Sequence, residues 1–206
     1  MKFLTSISFL FLLFSCSEQA KIQRDFSELP AYPEYVKQMQ AKTISTTEKL
    51  EERKKRFFVF MNEEIPFYWT GTKWDFNGTT REPKKGAIAC GYFVTTVLSD
   101  FGLKLERVYL AQQASSVMIK QLCEPTSVKY FASVQKVKDY VLARSEQEVY
   151  IVGLDFHTGF VIRDGNEVYF FHSSYVNKEG VLKEKLQESP AFGNSESYMI
   201  GSVMIK

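Results

Sequence analysis

Apolar residues recur with two different periods along this chain, and the switch between them divides it. Through residues 46–64 the spacing is helical, opened by Ser45-Thr46-Thr47-Glu48, a hydroxyl followed three places on by an acid that can answer it, and closed by Pro66. Phe57, Phe58, Phe60 and Met61 are assigned to the core face of this helix. From Cys90 the apolar positions Phe93, Val94, Val97, Leu98 and Phe101 lie 3, 4, 7, 8 and 11 places on, one face of a helix that stops at Gly102. Two further helical segments are predicted at 110–122 and 127–143. Beyond Gln147 the period falls to two, which predicts strands at 149–154, 157–163, 166–172 and 197–205. Helices followed by an antiparallel sheet make an α+β fold, with the Cys90 helix packed on the sheet. Two stretches carry no period: residues 66–89, a long loop of the kind that is more often functional than not, and residues 17–45, polar with Pro30 and Pro33 and read as a tether. The folded domain is therefore expected to span 46–206.

Composition narrows the class. With 45% apolar and 15% aromatic residues in a chain of 206, one full core is expected. The balance of 26 basic against 24 acidic residues gives no field that would gather nucleic acid, and the longest cationic run, Arg53-Lys54-Lys55-Arg56, suits a solvated helix face.

The first fifteen residues join one cation, Lys2, to an apolar run too short to span a bilayer comfortably, as a signal peptide does. Leu13-Phe14-Ser15-Cys16 resembles the bacterial lipobox, which implies cleavage before Cys16 and acylation of its thiol. Residues 16–45 would then tether the domain to a bacterial membrane, the outer one favoured. Export also changes the meaning of the remaining cysteines, because an oxidising compartment permits a Cys90–Cys123 disulfide.

Cys90 falls in the first turn of its helix, where unpaired N–H groups and the helix dipole favour an anion, so a lowered thiol pKa is expected. The only two histidines, His157 and His172, stand on either side of Asp164-Gly165. If those two residues form a hairpin loop, His157 and His172 are direct cross-strand partners on one face. Three uses remain open for such a pair: a base and its orienting partner, two ligands of a zinc ion with Cys90 as third, or two polar rings at a wet hairpin end. Asp155 and Ser173 are weaker candidates for the same network, and Cys123 is read as a packing residue.

Taken together, Tyr68-Trp69-Thr70-Gly71 in a loop, a helix-opening cysteine, His157-Thr158-Gly159-Phe160-Val161 on one strand and Phe170-Phe171-His172-Ser173-Ser174 on the next resemble the NlpC-type papain-like cysteine peptidases of bacterial cell walls. The resemblance covers roughly residues 65–174. It implies Cys90 as nucleophile, His157 as general base, His172 as the third polar residue, and Tyr68 beside the nucleophile touching substrate and the oxyanion. Trp74 is a further candidate for lining the groove. It also implies a papain-like fold, no cofactor, a peptidoglycan peptide as substrate, and a monomer. The family usually has Asp-Cys-Ser-Gly at the nucleophile, with the flanking Asp and Ser recognising a free amino group; here the residues are Ala89-Cys90-Gly91-Tyr92. Two other functions compete: a thiol acyltransferase on the same fold, and a non-catalytic envelope-binding lipoprotein with Cys90 and Cys123 bridged.

Overall fold

The computed structural model describes residues 25–45 and 47–206. The lipobox and Cys16 lie outside these residues. Among the described residues, no helix is long and apolar enough to cross a membrane.

Ahead of the expected domain start, helix α1 (Tyr32–Ile44) already belongs to the core. Tyr32, Tyr35, Met39 and Thr43 are buried at helical spacing, so the expected tether is a packed helix in its second half. Tyr32 Oη donates to Asp100 at 2.6 Å and accepts from Trp69 Nε1 at 2.7 Å, and Tyr35 Oη donates to Glu64. Proline at the helix start costs nothing there, because the first-turn N–H groups have no helical partner in any case.

Helix α2 (Leu50–Val59) opens later than its Ser45 signature suggests and has no side-chain cap. Pro66 does not end it. The backbone widens into a π-helical turn over Phe60–Glu64, in which the Ile65 N–H reaches back to Phe60 O, and continues as α3 (Ile65–Trp69). Proline removes the hydrogen bond to the carbonyl four residues back and crowds it. That carbonyl belongs to Asn62, and it accepts from Lys183 Nζ at 2.8 Å instead.

Helix α4 (Cys90–Phe101) follows its predicted pattern and ends on Gly102, whose φ of 107° is open to glycine. The segment predicted as one helix at 110–122 is α5 (Arg107–Ala111) and α6 (Ser115–Leu122). The segment at 127–143 divides into strand β1 (Lys129–Phe131) and helix α7 (Val134–Leu142), which Ser133 caps. Then come β2 (Gln147–Gly153), β3 (Thr158–Asp164), β4 (Glu167–Ser174), β5 (Gly180–Lys185), the short α8 (Pro190–Gly193) and β6 (Tyr198–Ser202). The six strands form one open antiparallel sheet in the order β1-β6-β2-β3-β4-β5. The architecture is α+β. Strand β5 is absent from the sequence expectation, since Gly180-Val181-Leu182-Lys183-Glu184-Lys185 shows no clean apolar alternation.

Both sheet faces are covered. Ile151, Phe160, Ile162 and Phe171 join the aromatic core built by α1 to α4, whereas Tyr150, Val152, Val161, Val168 and Phe170 meet Val137, Val141 and Phe192 from α7 and α8. This is the alternation that a pleated strand imposes.

The β3–β4 hairpin is not joined as expected. Asp164 pairs with Glu167 and Phe160 with Phe171, so the loop is Gly165-Asn166. Only Gly165 has a positive φ, 62°, the pattern of a type II′ turn with glycine first. Moving the loop by one residue moves each cross-strand partner by two, which preserves the faces. His157 and His172 stay on one side of the sheet as diagonal neighbours, and His172 lies beside Gly159.

Candidate functional site

Cys90 is the first residue of α4, behind an extended Ala89 that supplies no side-chain cap. The preceding loop is strapped in place. Ile88 N donates to Lys73 O at 2.9 Å, Thr80 N to Ala87 O at 3.0 Å and Ala89 N to Gly78 O at 2.8 Å. Gly78 is required here, because a β-carbon on it would lie 2.6 Å from the backbone of Ala87 and Ile88. Ser173, on the α4-facing side of β4, donates to Ile88 O at 2.7 Å. It anchors the backbone leading to Cys90 and does not join the histidines. Asp155 likewise stays apart and ties Ser195, Ser197 and the Glu196 N–H together.

The thiol departs from expectation. Burial pushes the Cys90 pKa up, against the pull of the N–H groups of Thr158, Gly91 and Cys90 itself. The helix start still favours the thiolate, but the cost of removing that charge from water is larger. Cys123 is a second free thiol rather than a disulfide partner: both cysteines are unbridged, and Cys123 Sγ donates to Gly201 O at 3.2 Å. Its pKa is pushed up to about 12 by burial.

His157 follows a tight β2–β3 turn, Asp155-Phe156, closed by a 2.8 Å bond from Leu154 N to His157 O. Its Nε2 lies 2.7 Å from His172 Nδ1, and His172 Nε2 lies 3.0 Å from Glu184 Oε1. The His172 ring is fully buried, stacked on Phe170 with centroids 4.0 Å apart. Gly159 makes room for it, since a β-carbon there would lie 2.7 Å from His172 Cβ. Burial, and then the neighbouring His172, push the His157 pKa down to about 3. Burial also lowers His172, although Glu184 and Glu179 pull the other way. Burial raises Glu184, but bonds from His172 and Ser189 outweigh it, and its pKa lies below the usual carboxylate value. At neutral pH the chain therefore holds two neutral rings and one carboxylate.

Cys90 and His157 wall one cavity of about 520 Å³, together with Trp74, Phe76, Asn77, Tyr92, Gln112 and Tyr175, and among the described residues no Asp, Glu, Lys or Arg lines it. A second cavity of about 510 Å³ adjoins it across Phe156, His157 and Tyr175, and carries Asp155 and Glu196. Phe156 and Phe76 stand 96% and 78% exposed at this cleft.

Trp74 lines the Cys90 cavity, and Tyr68 does not. Because the helix runs on through Pro66, Tyr68 sits on α3, donates to Pro30 O at 2.6 Å and packs against Tyr32, Tyr35 and Phe67. Glu184 went unrecognised because its strand did. Among the described residues no group of three His, Cys, Asp or Glu side chains is placed to hold a metal ion. No model of a known protein family, no curated protein and no solved structure matches the chain.

Proposed function

We propose that the protein is a thiol-dependent amide hydrolase of papain-like type, acting on peptides of the bacterial cell wall from a lipid-tethered position. The observation that carries this reading is that a helix-opening cysteine and His157, whose ring is hydrogen-bonded to the buried His172, wall the same cavity. In the mechanism, the resting groups are neutral, a thiol and an imidazole on the wall of one cavity. As substrate enters and displaces water, His157 takes the thiol proton while Cys90 Sγ attacks the carbonyl carbon. The same proton then passes to the departing amine, and water hydrolyses the thioester with His157 again as base. The N–H of Cys90 faces the developing oxyanion, and Asn77 and Gln112 bring side-chain amides to the cavity wall as a second donor. These take the place that the resemblance assigns to Tyr68.

The uncharged lining bears on the substrate. Ala89 and Gly91 stand where the NlpC-type peptidases have the acid and the serine that read a free ammonium, and among the described residues no charged side chain lines this cavity. The acyl side of the scissile bond is accordingly expected to be uncharged, as in the interior of a peptide. The test is mass spectrometry of purified wall fragments after incubation with wild-type protein and with Cys90→Ala. New amine and acid termini are expected only with the wild type, and His157→Ala is expected to lose roughly 10²–10⁴-fold in turnover. Identical fragment patterns for wild type and Cys90→Ala would remove the hydrolase reading.

A further inference from the structure

We propose that Glu184 is a positioning residue that sets the direction in which the His157–His172 hydrogen bond runs, and so decides whether His157 has a lone pair to offer Cys90. The catalytic consequence rests on the hydrolase reading above; the ordering of the two rings does not.

A carboxylate only accepts hydrogen bonds, whereas a neutral imidazole carries one donor and one acceptor. His172 Nε2 lies 3.0 Å from Glu184 Oε1, so the single proton of that ring belongs on Nε2. His172 Nδ1 is then a bare acceptor, and the 2.7 Å contact to His157 requires His157 Nε2 to be the donor. That leaves His157 Nδ1 unprotonated, the only nitrogen of the pair able to take a proton from a thiol.

Run the other way, the chain fails. With His172 Nδ1 donating, His157 Nε2 accepts, its own proton moves to Nδ1, and the base is lost. The two rings alone have no reason to choose between these arrangements. His172 is fully buried, so solvent does not choose for them; the carboxylate does. Glu184 is itself held in place, on a strand where it pairs with Phe170 and with a bond from Ser189. Ser189 is fixed in turn as the cap of α8, accepting from Phe192 N at 3.2 Å. Glu179 also bears on His172 electrostatically but makes no hydrogen bond to its ring that would compete for Nε2.

The chain has only two histidines, so ¹⁵N-histidine labelling of the full chain, free of added histidines, reports these two rings and nothing else. Long-range ¹H–¹⁵N spectra at neutral pH are expected to show both rings protonated at Nε2 and bare at Nδ1, with the assignment made by His172→Gln. In Glu184→Leu the His157 signal is expected to move partly or wholly to the Nδ1–H form. Glu184→Gln, whose amide oxygen still accepts, is expected to restore the wild-type pattern. In turnover, Glu184→Leu is expected to lose kcat with little change in KM, by up to about 10⁴-fold, the cost of a wrong tautomer in a serine triad; Glu184→Gln is expected to lose less. A wild-type spectrum with His157 protonated at Nδ1 overturns the proposal without any variant, and so does an unchanged spectrum in Glu184→Leu even if activity falls. Tautomers that respond as described in a protein with no Cys90-dependent cleavage would uphold the ordering by Glu184 and overturn the hydrolase reading alone.

Discussion

Replacing Asp100 by asparagine should make this protein more resistant to unfolding at pH 7 than the wild type, by a margin that shrinks as the pH falls. Asp100 is buried where α1 crosses α4, and it accepts the hydroxyl of Tyr32 at 2.6 Å. Burial raises its pKa from 3.8 to about 6, against the pull of the Tyr32 bond and of Arg81 and Arg107. Because the folded pKa lies above the unfolded one, the stabilisation is complete below about pH 3.8 and is lost as the pH rises through about 6. The loss amounts to roughly 3 kcal/mol at 1.36 kcal/mol per tenfold change in proton affinity. Asparagine keeps an oxygen for Tyr32 and has no proton to lose. Its NH₂ group adds an offset of its own, but that offset does not vary with pH, so the slope is the measurement. Thermal melts of both proteins at intervals from pH 4 to 7.5 should show the Tm of Asp100→Asn gaining roughly 6–12 °C on the wild type across that range, at about 2–4 °C per kcal/mol for a domain of this size. Taking the difference between the two proteins cancels every other titrating group. A difference that stays flat, or that grows toward acid, would show that Asp100 is ionised without cost and that the α1–α4 contact is not a buried neutral pair.

Two glycines at the site give further tests. Gly159→Ala sets a β-carbon 2.7 Å from both His172 Cβ and Phe170 Cε2, so it should cost about 1–3 kcal/mol in denaturant melts and lower turnover by displacing His172; full activity would mean that the ring position is not critical. Gly91→Ser, which places here the serine usual in the NlpC-type peptidases that the sequence resembles, sets a β-carbon 2.4 Å from Ala111 O. It should destabilise by a similar amount and move the start of α4, whereas a stable variant with new activity on fragments bearing a free amine would show that α5 can yield.

The fate of the hairpin shows what a sequence can carry about such a site. Placing the loop at Asp164-Gly165 was wrong by one residue, since Gly165-Asn166 forms it and glycine takes the first loop position. Sliding the loop by one residue changes both strands together, so each partner moves by two and the faces survive. His157 and His172 therefore remained on one side, and the shift put a glycine, rather than His157, beside His172, leaving space for the ring to lean diagonally. The α4 pattern and the four apolar strands were legible because their buried residues are strongly apolar over most of their length. What stayed hidden is what periodicity does not record. Helix α1 buries Tyr32, Tyr35 and Met39 at a readable spacing, but flanking prolines and polar neighbours disguised it. The π-turn at Phe60–Glu64, which carries the helix past Pro66 and so removes Tyr68 from the cavity, depends on Lys183 reaching the carbonyl of Asn62 from strand β5. That strand also brings in Glu184. Its residues alternate poorly, so nothing local announces it; its place comes from the Gly71–Thr72 turn, where Val181 N donates to Thr72 O at 2.8 Å and Gly71 N to Val181 O at 2.9 Å, and where a β-carbon on Gly180 would lie 2.1 Å from the Thr72 carbonyl oxygen. The contacts of β5 thus bear both on Tyr68, which the structure places on α3 away from the Cys90 cavity, and on Glu184, which the sequence reading did not single out.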